Sequence, residues 1–134
     1  MKHGFIKVAA ATPKVTVADC RANLEESLRI ARHAEDSGVQ LLVFPELSLT
    51  GYTCADLLLT DTLCTAAEDA LSEFLKQTQT AHTISIIGFP LVVNDKLFNS
   101  AAICQNGRIL GVVPKRYIPN YGDHAEARYF AAYD

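Results

Sequence analysis

The segment Leu41–Tyr52 reads LLVFPELSLTGY. Its first four residues are apolar, and Pro45 closes the run. A short apolar run ended by proline predicts a strand covered on both faces, the type found inside parallel sheets. The residues before it predict a helix. Asn23 is a capping residue and Glu26, three positions on, completes a capping-box pattern. Leu24, Leu28, Ala31 and Ala34 follow at helical spacing, and Gly38 is a natural stop. Further upstream, FIKVAAAT (Phe5–Thr12) reads as another strand, closed by Pro13. Strand, amphipathic helix and buried strand in succession predict a layered α/β architecture.

Downstream, a second helix is predicted over residues 65–80, with Leu71, Phe74 and Leu75 on its apolar face and Ala67 and Ala70 beside them. The rhythm then changes. ISIIGFPLVV (Ile84–Val93), LFNSAAIC (Leu97–Cys104) and RILGVV (Arg108–Val113) are three strand candidates. Asn94-Asp95-Lys96 and Gln105-Asn106-Gly107 separate them, and Asn-Gly between apolar runs is a strong hairpin signal. An antiparallel meander is expected. The tail, Lys115–Asp134, is rich in tyrosine and charge and reads as a long irregular segment with a short helical turn.

The composition narrows the function classes. The chain has 134 residues, enough for one domain with a core, and is 49% apolar and 20% charged. A net charge of −3 gives no basic footprint for nucleic acid. No stretch has the apolar length of a membrane span, and Met1-Lys2-His3-Gly4 lacks a signal-peptide layout, so a cytoplasmic protein is expected. Cys20, Cys54, Cys64 and Cys104 form no C-x-x-C pair, and no histidine stands at zinc-finger spacing. All four are expected to be free, buried thiols.

Two ionisable residues share one pattern. Glu46 follows LLVFP and Lys115 follows ILGVVP, so each sits directly after a proline that ends an apolar strand. In open α/β sheets, sites gather where strands end. Opposite charges so placed would meet in a cleft, although a charged residue after a strand-ending proline is most often a turn residue in water.

The residues around this pair carry a resemblance. LLVFPELSLTGY resembles the first signature of the nitrilase superfamily, the carbon–nitrogen hydrolases. GRILGVVPKRYIPNYGDHAEARYF resembles the second, lysine-bearing signature. PELSLTGYTCADLL and KRYIPNY, with the following E-x-R-Y-F, look like one branch in particular, the amino-terminal glutaminase domain of glutamine-dependent NAD synthetases. The resemblance implies a nitrilase-type αββα sandwich, of which residues 1–134 would be the amino-terminal part and roughly the first half. It also implies a Glu–Lys–Cys triad in which Glu46 is the general base and Lys115 the catalytic lysine. Those residue types suit the chemistry. A thiolate attacks an amide carbon, a carboxylate moves the thiol and water protons, and an ammonium stabilises the oxyanion. Tyr52 and Tyr121 also fall in the signature segments. They either line a glutamine pocket or ammonia passage, or pack the loops. Asp123 falls where relatives carry a glutamate that supports the lysine, and Glu126 and Arg128 match the Glu-x-Arg that follows.

The family's nucleophilic cysteine lies downstream of the lysine segment, beyond Asp134 in this numbering. Cys54, in GYTCADL, matches a residue of the first signature and reads as a packing thiol. The chain is therefore expected to be a fragment of a longer enzyme and inactive by itself. There is no G-x-G-x-x-G and no G-x-x-x-x-G-K-S/T, so no cofactor is expected in this chain. The resemblance would put ATP and magnesium in a carboxy-terminal synthetase domain, with glutamine as substrate here and the full protein a homo-oligomer. A stand-alone amidase of the same superfamily and a non-catalytic assembly module are the other readings.

Overall fold

The computed structural model describes residues 4–134; Met1–His3, which belong to the stretch read for a leader, lie outside the described residues. Five strands form one sheet in the order β1-β2-β3-β4-β5, where β1 is Val8–Ala10, β2 Leu41–Val43, β3 Ile84–Val93, β4 Lys96–Gln105 and β5 Arg108–Pro114. β1, β2 and β3 run parallel, and β4 and β5 continue antiparallel. β5 therefore runs in the same direction as β2, which brings the ends carrying Pro45 and Pro114 to one edge of the sheet. α1 (Cys20–Asp36) connects β1 to β2, and α2 (Asp61–Gln77) leads into β3.

Both helices begin earlier than their apolar stripes suggest. Asp19, not Asn23, caps α1 by accepting from the Ala22 N–H at 2.9 Å. Asn23 is buried instead. Its Oδ1 accepts from Thr16 N at 2.7 Å, and its Nδ2 donates to the carbonyls of Thr16 and Leu49 at 2.8 and 3.0 Å. Glu26, the other half of the expected box, pairs with Arg29 at 2.8 Å. Thr60 caps α2, whose first residue, Asp61, lies four residues before the start predicted from its apolar face. Capping residues are polar and lie outside the stripe that periodicity detects, so periodicity places a helix start too late. Gly38 ends α1 as expected, at a φ of +70°.

The two hairpin turns match their sequences. Asn94-Asp95 and Asn106-Gly107 have φ values of 50°, 60°, 50° and 70°, the left-handed pair that a two-residue hairpin requires. The three meander strands stand where the sequence puts them. β1 is shorter than the Phe5–Thr12 run.

Both helices pack on one face of the sheet. Leu42, Ile87, Phe89, Ala102 and Cys104 point into a core completed by Leu24, Leu28, Ala67, Leu71 and Phe74. Burial alternates along residues 84–87 of β3 and 100–105 of β4, as expected where one face is covered, and the alternation is lost over residues 87–90, which are all buried. The expectation that β2 is covered on both faces is corrected here. Val43 stays 39% exposed because, among the described residues, the helix layer lies on the Leu42 side only. The four cysteines are free and buried. Burial pushes Cys20 and Cys104 up to about 11, so neither is a thiolate at neutral pH. No described helix is long and apolar enough to cross a membrane.

Candidate active site

The Pro45–Tyr52 segment turns sharply after β2 and is pinned on three sides. Leu49 N–H donates to the Gly88 carbonyl of β3 at 3.2 Å, Ala18 N–H donates to Thr50 O at 2.7 Å, and Asn23 holds Leu49 O. Leu47 is completely buried at a φ of 51°. A leucine in the left-handed region costs about 1–2 kcal/mol, and the surrounding bonds keep it there. Its N–H neighbours the Cα of Gly88, where a Cβ would lie 2.5 Å from Leu47 N and 2.7 Å from Pro45 O. Glu46 thus crosses the open face of the sheet directly over a glycine.

Lys115 extends β5 by one bond, its N–H donating to the Asn99 carbonyl of β4 at 2.7 Å. From there the ammonium reaches Glu46 Oε1 at 2.8 Å and both oxygens of Glu126 at 3.0 Å. Asn99 Nδ2 donates to the same Glu46 oxygen. Glu46 is 44% exposed, Lys115 27% and Glu126 only 6%. Burial draws the Lys115 ammonium down. The hydrogen bonds and charges of Glu46 and Glu126 outweigh it and hold the group above an ordinary lysine.

The cluster has one cation between two carboxylates. An ammonium has three donors, and all three face carboxylate oxygens, so stabilising a new oxyanion requires one of them to change partner. Glu46 is the more exposed carboxylate. Its Oε1 takes both donors, while Oε2 has no partner among the described residues and is free to accept a proton. A hollow of about 300 Å³ opens beside the pair, lined by Val43, Phe44, Ile86, Gly88, Asn99, Ala101 and Lys115. No cysteine lines it. Cys54 is buried, and its thiol donates to Thr50 O at 3.1 Å.

Of the residues singled out from sequence, Glu46 and Lys115 meet directly. Tyr52 joins them at one remove, its hydroxyl donating to Glu126 Oε1 at 2.8 Å. Burial and that carboxylate push the phenol up to about 12. Tyr121 stands outside the hollow, 73% exposed, with its ring edge-on to His124. The carboxylate that holds Lys115 is Glu126, not Asp123, whose side chain has no ion pair or hydrogen bond among the described residues. The short 3-10 turn Glu126–Arg128 aims Glu126 inward, and buried Phe130 anchors it. Sequence reasoning also missed Asn99, an asparagine buried in a strand. Asparagine is depleted in strands, and that was the available signal.

A family model described as carbon-nitrogen hydrolase matches residues 7–134. The chain belongs to the carbon–nitrogen hydrolase family. The glutamine-dependent NAD(+) synthetase of Mycobacterium tuberculosis is 41% identical over 133 residues, which are 99% of this chain and 20% of that protein. The enzyme of the same name from Thermotoga maritima is 37% identical over 93% of this chain and 22% of its own length. The chain thus spans about a fifth of the curated relatives it matches. The crystal structure of a glutamine-dependent NAD(+) synthetase from Cytophaga hutchinsonii superposes with a TM-score of 0.91 at 29% identity, over 96% of this chain and 22% of that one. An amidase from Nesterenkonia superposes with a TM-score of 0.81 at 20% identity, over 96% of this chain and 48% of that one. At that identity the likeness speaks for the fold, a nitrilase-type layer of helices on a sheet.

Proposed function

We propose that these residues are the amino-terminal part of the glutaminase domain of a glutamine-dependent NAD synthetase. The observation that carries the reading is the Lys115 Nζ–Glu46 Oε1 contact of 2.8 Å at the matched ends of β2 and β5. The relatives of that name, alike over nearly the whole chain, support it. The nucleophilic thiol comes from residues outside these 134. Glu46 takes the thiol proton, and sulfur attacks the carboxamide carbon of glutamine. Lys115 Nζ–H stabilises the oxyanion, and the C–N bond breaks as Glu46 returns the proton to the departing ammonia. Water activated by Glu46 then cleaves the thioester, releasing glutamate and the thiol. On this reading Tyr52 reaches the cluster through Glu126, and Tyr121, outside the hollow, packs the loop beside it. The ammonia passes to a carboxy-terminal synthetase domain, where ATP and magnesium support amidation of nicotinate adenine dinucleotide. The chain alone is inactive, and the complete protein is cytoplasmic and homo-oligomeric.

The test uses the complete enzyme. Glu46→Gln and Lys115→Met are expected to abolish glutamine-dependent NAD synthesis while leaving ammonia-dependent synthesis largely intact. Free ammonia bypasses the amide-cleaving step. Loss of both activities in a folded variant refutes the assignment. Absence of any ammonia-dependent synthesis in the unaltered enzyme favours a stand-alone amidase.

A further inference from the structure

Tyr52 Oη has two polar neighbours, Glu126 Oε1 at 2.8 Å and His124 Nδ1 at 3.1 Å. A phenol owns one proton, and an ionised carboxylate only accepts. The Tyr52 proton therefore belongs to Glu126, and the lone pairs of Oη face His124. For that second contact to be a hydrogen bond, Nδ1 of His124 must carry the hydrogen. Histidine free in water favours the other tautomer, so the arrangement selects one form of the ring.

We infer that His124 is a positioning residue for the lysine-holding carboxylate: its Nδ1–H donates to Tyr52 Oη and commits the phenol proton to Glu126. The inference rests on Glu46 and Lys115 being the amide-cleaving pair and deepens that reading. Its consequence is an ordered row, His124 to Tyr52 to Glu126 to Lys115 to Glu46. Glu126 remains the fixed acceptor in that row because it is buried and holds Tyr52 and Lys115 at once. The partner that Lys115 releases when an oxyanion forms is then Glu46. Burial and Glu126 push the Tyr52 phenol up to about 12, so it keeps its proton throughout neutral pH. The His124 ring is seated between two aromatic edges, Tyr52 at 6.4 Å and Tyr121 at 5.7 Å between centroids. Tyr121 thus acts by orienting His124.

The experiment is long-range 1H–15N NMR of the histidine rings in the Met1–Asp134 chain, at a pH where His124 is neutral. The expected pattern is a protonated Nδ1 and a bare Nε2 for His124, reverting to the ordinary Nε2–H form in Tyr52→Phe. An Nε2–H form in the unaltered chain, or no change on Tyr52→Phe, overturns the inference. In the complete enzyme, His124→Phe is expected to lower kcat for glutamine cleavage by about threefold to tenfold with KM little changed, the range one net hydrogen bond supplies. His124→Asn, whose Nδ2–H stands where Nδ1–H did, restores most of that loss. Unchanged kcat in His124→Phe, or no rescue by His124→Asn, refutes the positioning role. The tautomer is read without any catalysis, so its failure is separable from failure of the glutaminase assignment.

Discussion

Replacing Gly88 by alanine tests whether the site depends on backbone passing over backbone. The added methyl would meet Leu47 N at 2.5 Å, Pro45 O at 2.7 Å and Glu46 C at 3.1 Å. The nearest of these is about 0.9 Å short of ordinary van der Waals contact at 3.4 Å. All three are backbone atoms, so no side chain can swing aside. Either β3 bends or the Pro45–Leu47 turn lifts, and the turn is the part with solvent above it. The turn is also tied to Gly88 itself through Leu49 N and Ser48 Oγ, so lifting it strains those bonds. Overpacking of this kind costs about 1–3 kcal/mol, read as a lower urea midpoint with an unchanged m-value. A shift approaching 1 Å at Glu46 would cost glutamine cleavage about 100-fold in the complete enzyme. Gly111→Ala is the control. It is another strand glycine, with nothing within 4 Å of its Cβ position, and is expected to be neutral or stabilising by about 0.5–1 kcal/mol. If Gly88→Ala is as stable as the unaltered chain and keeps the Glu46–Lys115 contact in a crystal structure, the reasoning fails.

Two further perturbations follow from charged groups held by fixed partners. Lys115→Met leaves the buried Glu126 carboxylate without its cation and is expected to cost about 3–5 kcal/mol at pH 7, measured by urea unfolding. Lys115 titrates above its ordinary 10.5 when folded, so its stabilisation is complete below 10.5 and lost as pH rises through the folded value. The melting temperature should therefore fall more steeply with pH above 10.5 in the unaltered chain than in Lys115→Met. Glu35 gives the opposite sign. Partial burial raises its carboxyl, but hydrogen bonds from Thr83 Oγ1 at 2.6 Å and from the N–H groups of Thr83 and His82 outweigh this and hold it below 4.5. Its stabilisation is present above 4.5 and lost as pH falls through the folded value, so Glu35→Gln should flatten the acid limb of the melting curve. Equal acid limbs in the two proteins would contradict this.

What the sequence made legible were features coded by neighbours. Hairpin turns at Asn94-Asp95 and Asn106-Gly107 depend on the residues at the turn, and β3 matched its apolar run at both ends. Glu46 and Lys115 stood out through the proline before each together with the signature residues around them. Glu126 and Asn99 were not, since their partners lie 11 and 53 residues away and only strand register and loop path bring them together. Asn23 misled for a related reason. A buried asparagine that bonds Thr16 and Leu49 has the same local sequence as one that caps a helix. The exposed Val43 marks the other limit. An apolar run records that both faces avoid water, not which residues provide the cover.

The sheet topology explains why these two charges can meet at all. β2 and β5 are three strand spacings apart, about 14 Å, too far for a glutamate and a lysine to join across a flat sheet. Because β2 and β5 run the same way, their ends lie on one edge. The Pro45–Leu47 turn then steps sideways across β3, over the one residue there that has no side chain. Glu46 arrives above β4, where Asn99 offers its amide to the carboxylate and its carbonyl to the Lys115 N–H. Asn99 is thus common to both halves of the pair: it holds the side chain of one and the backbone of the other. The backbone closes part of the distance, and the Glu46 and Lys115 side chains span the rest to a 2.8 Å contact. In the proposed reaction, holding the acid and the ammonium in place before substrate arrives lowers the ordering cost of the step.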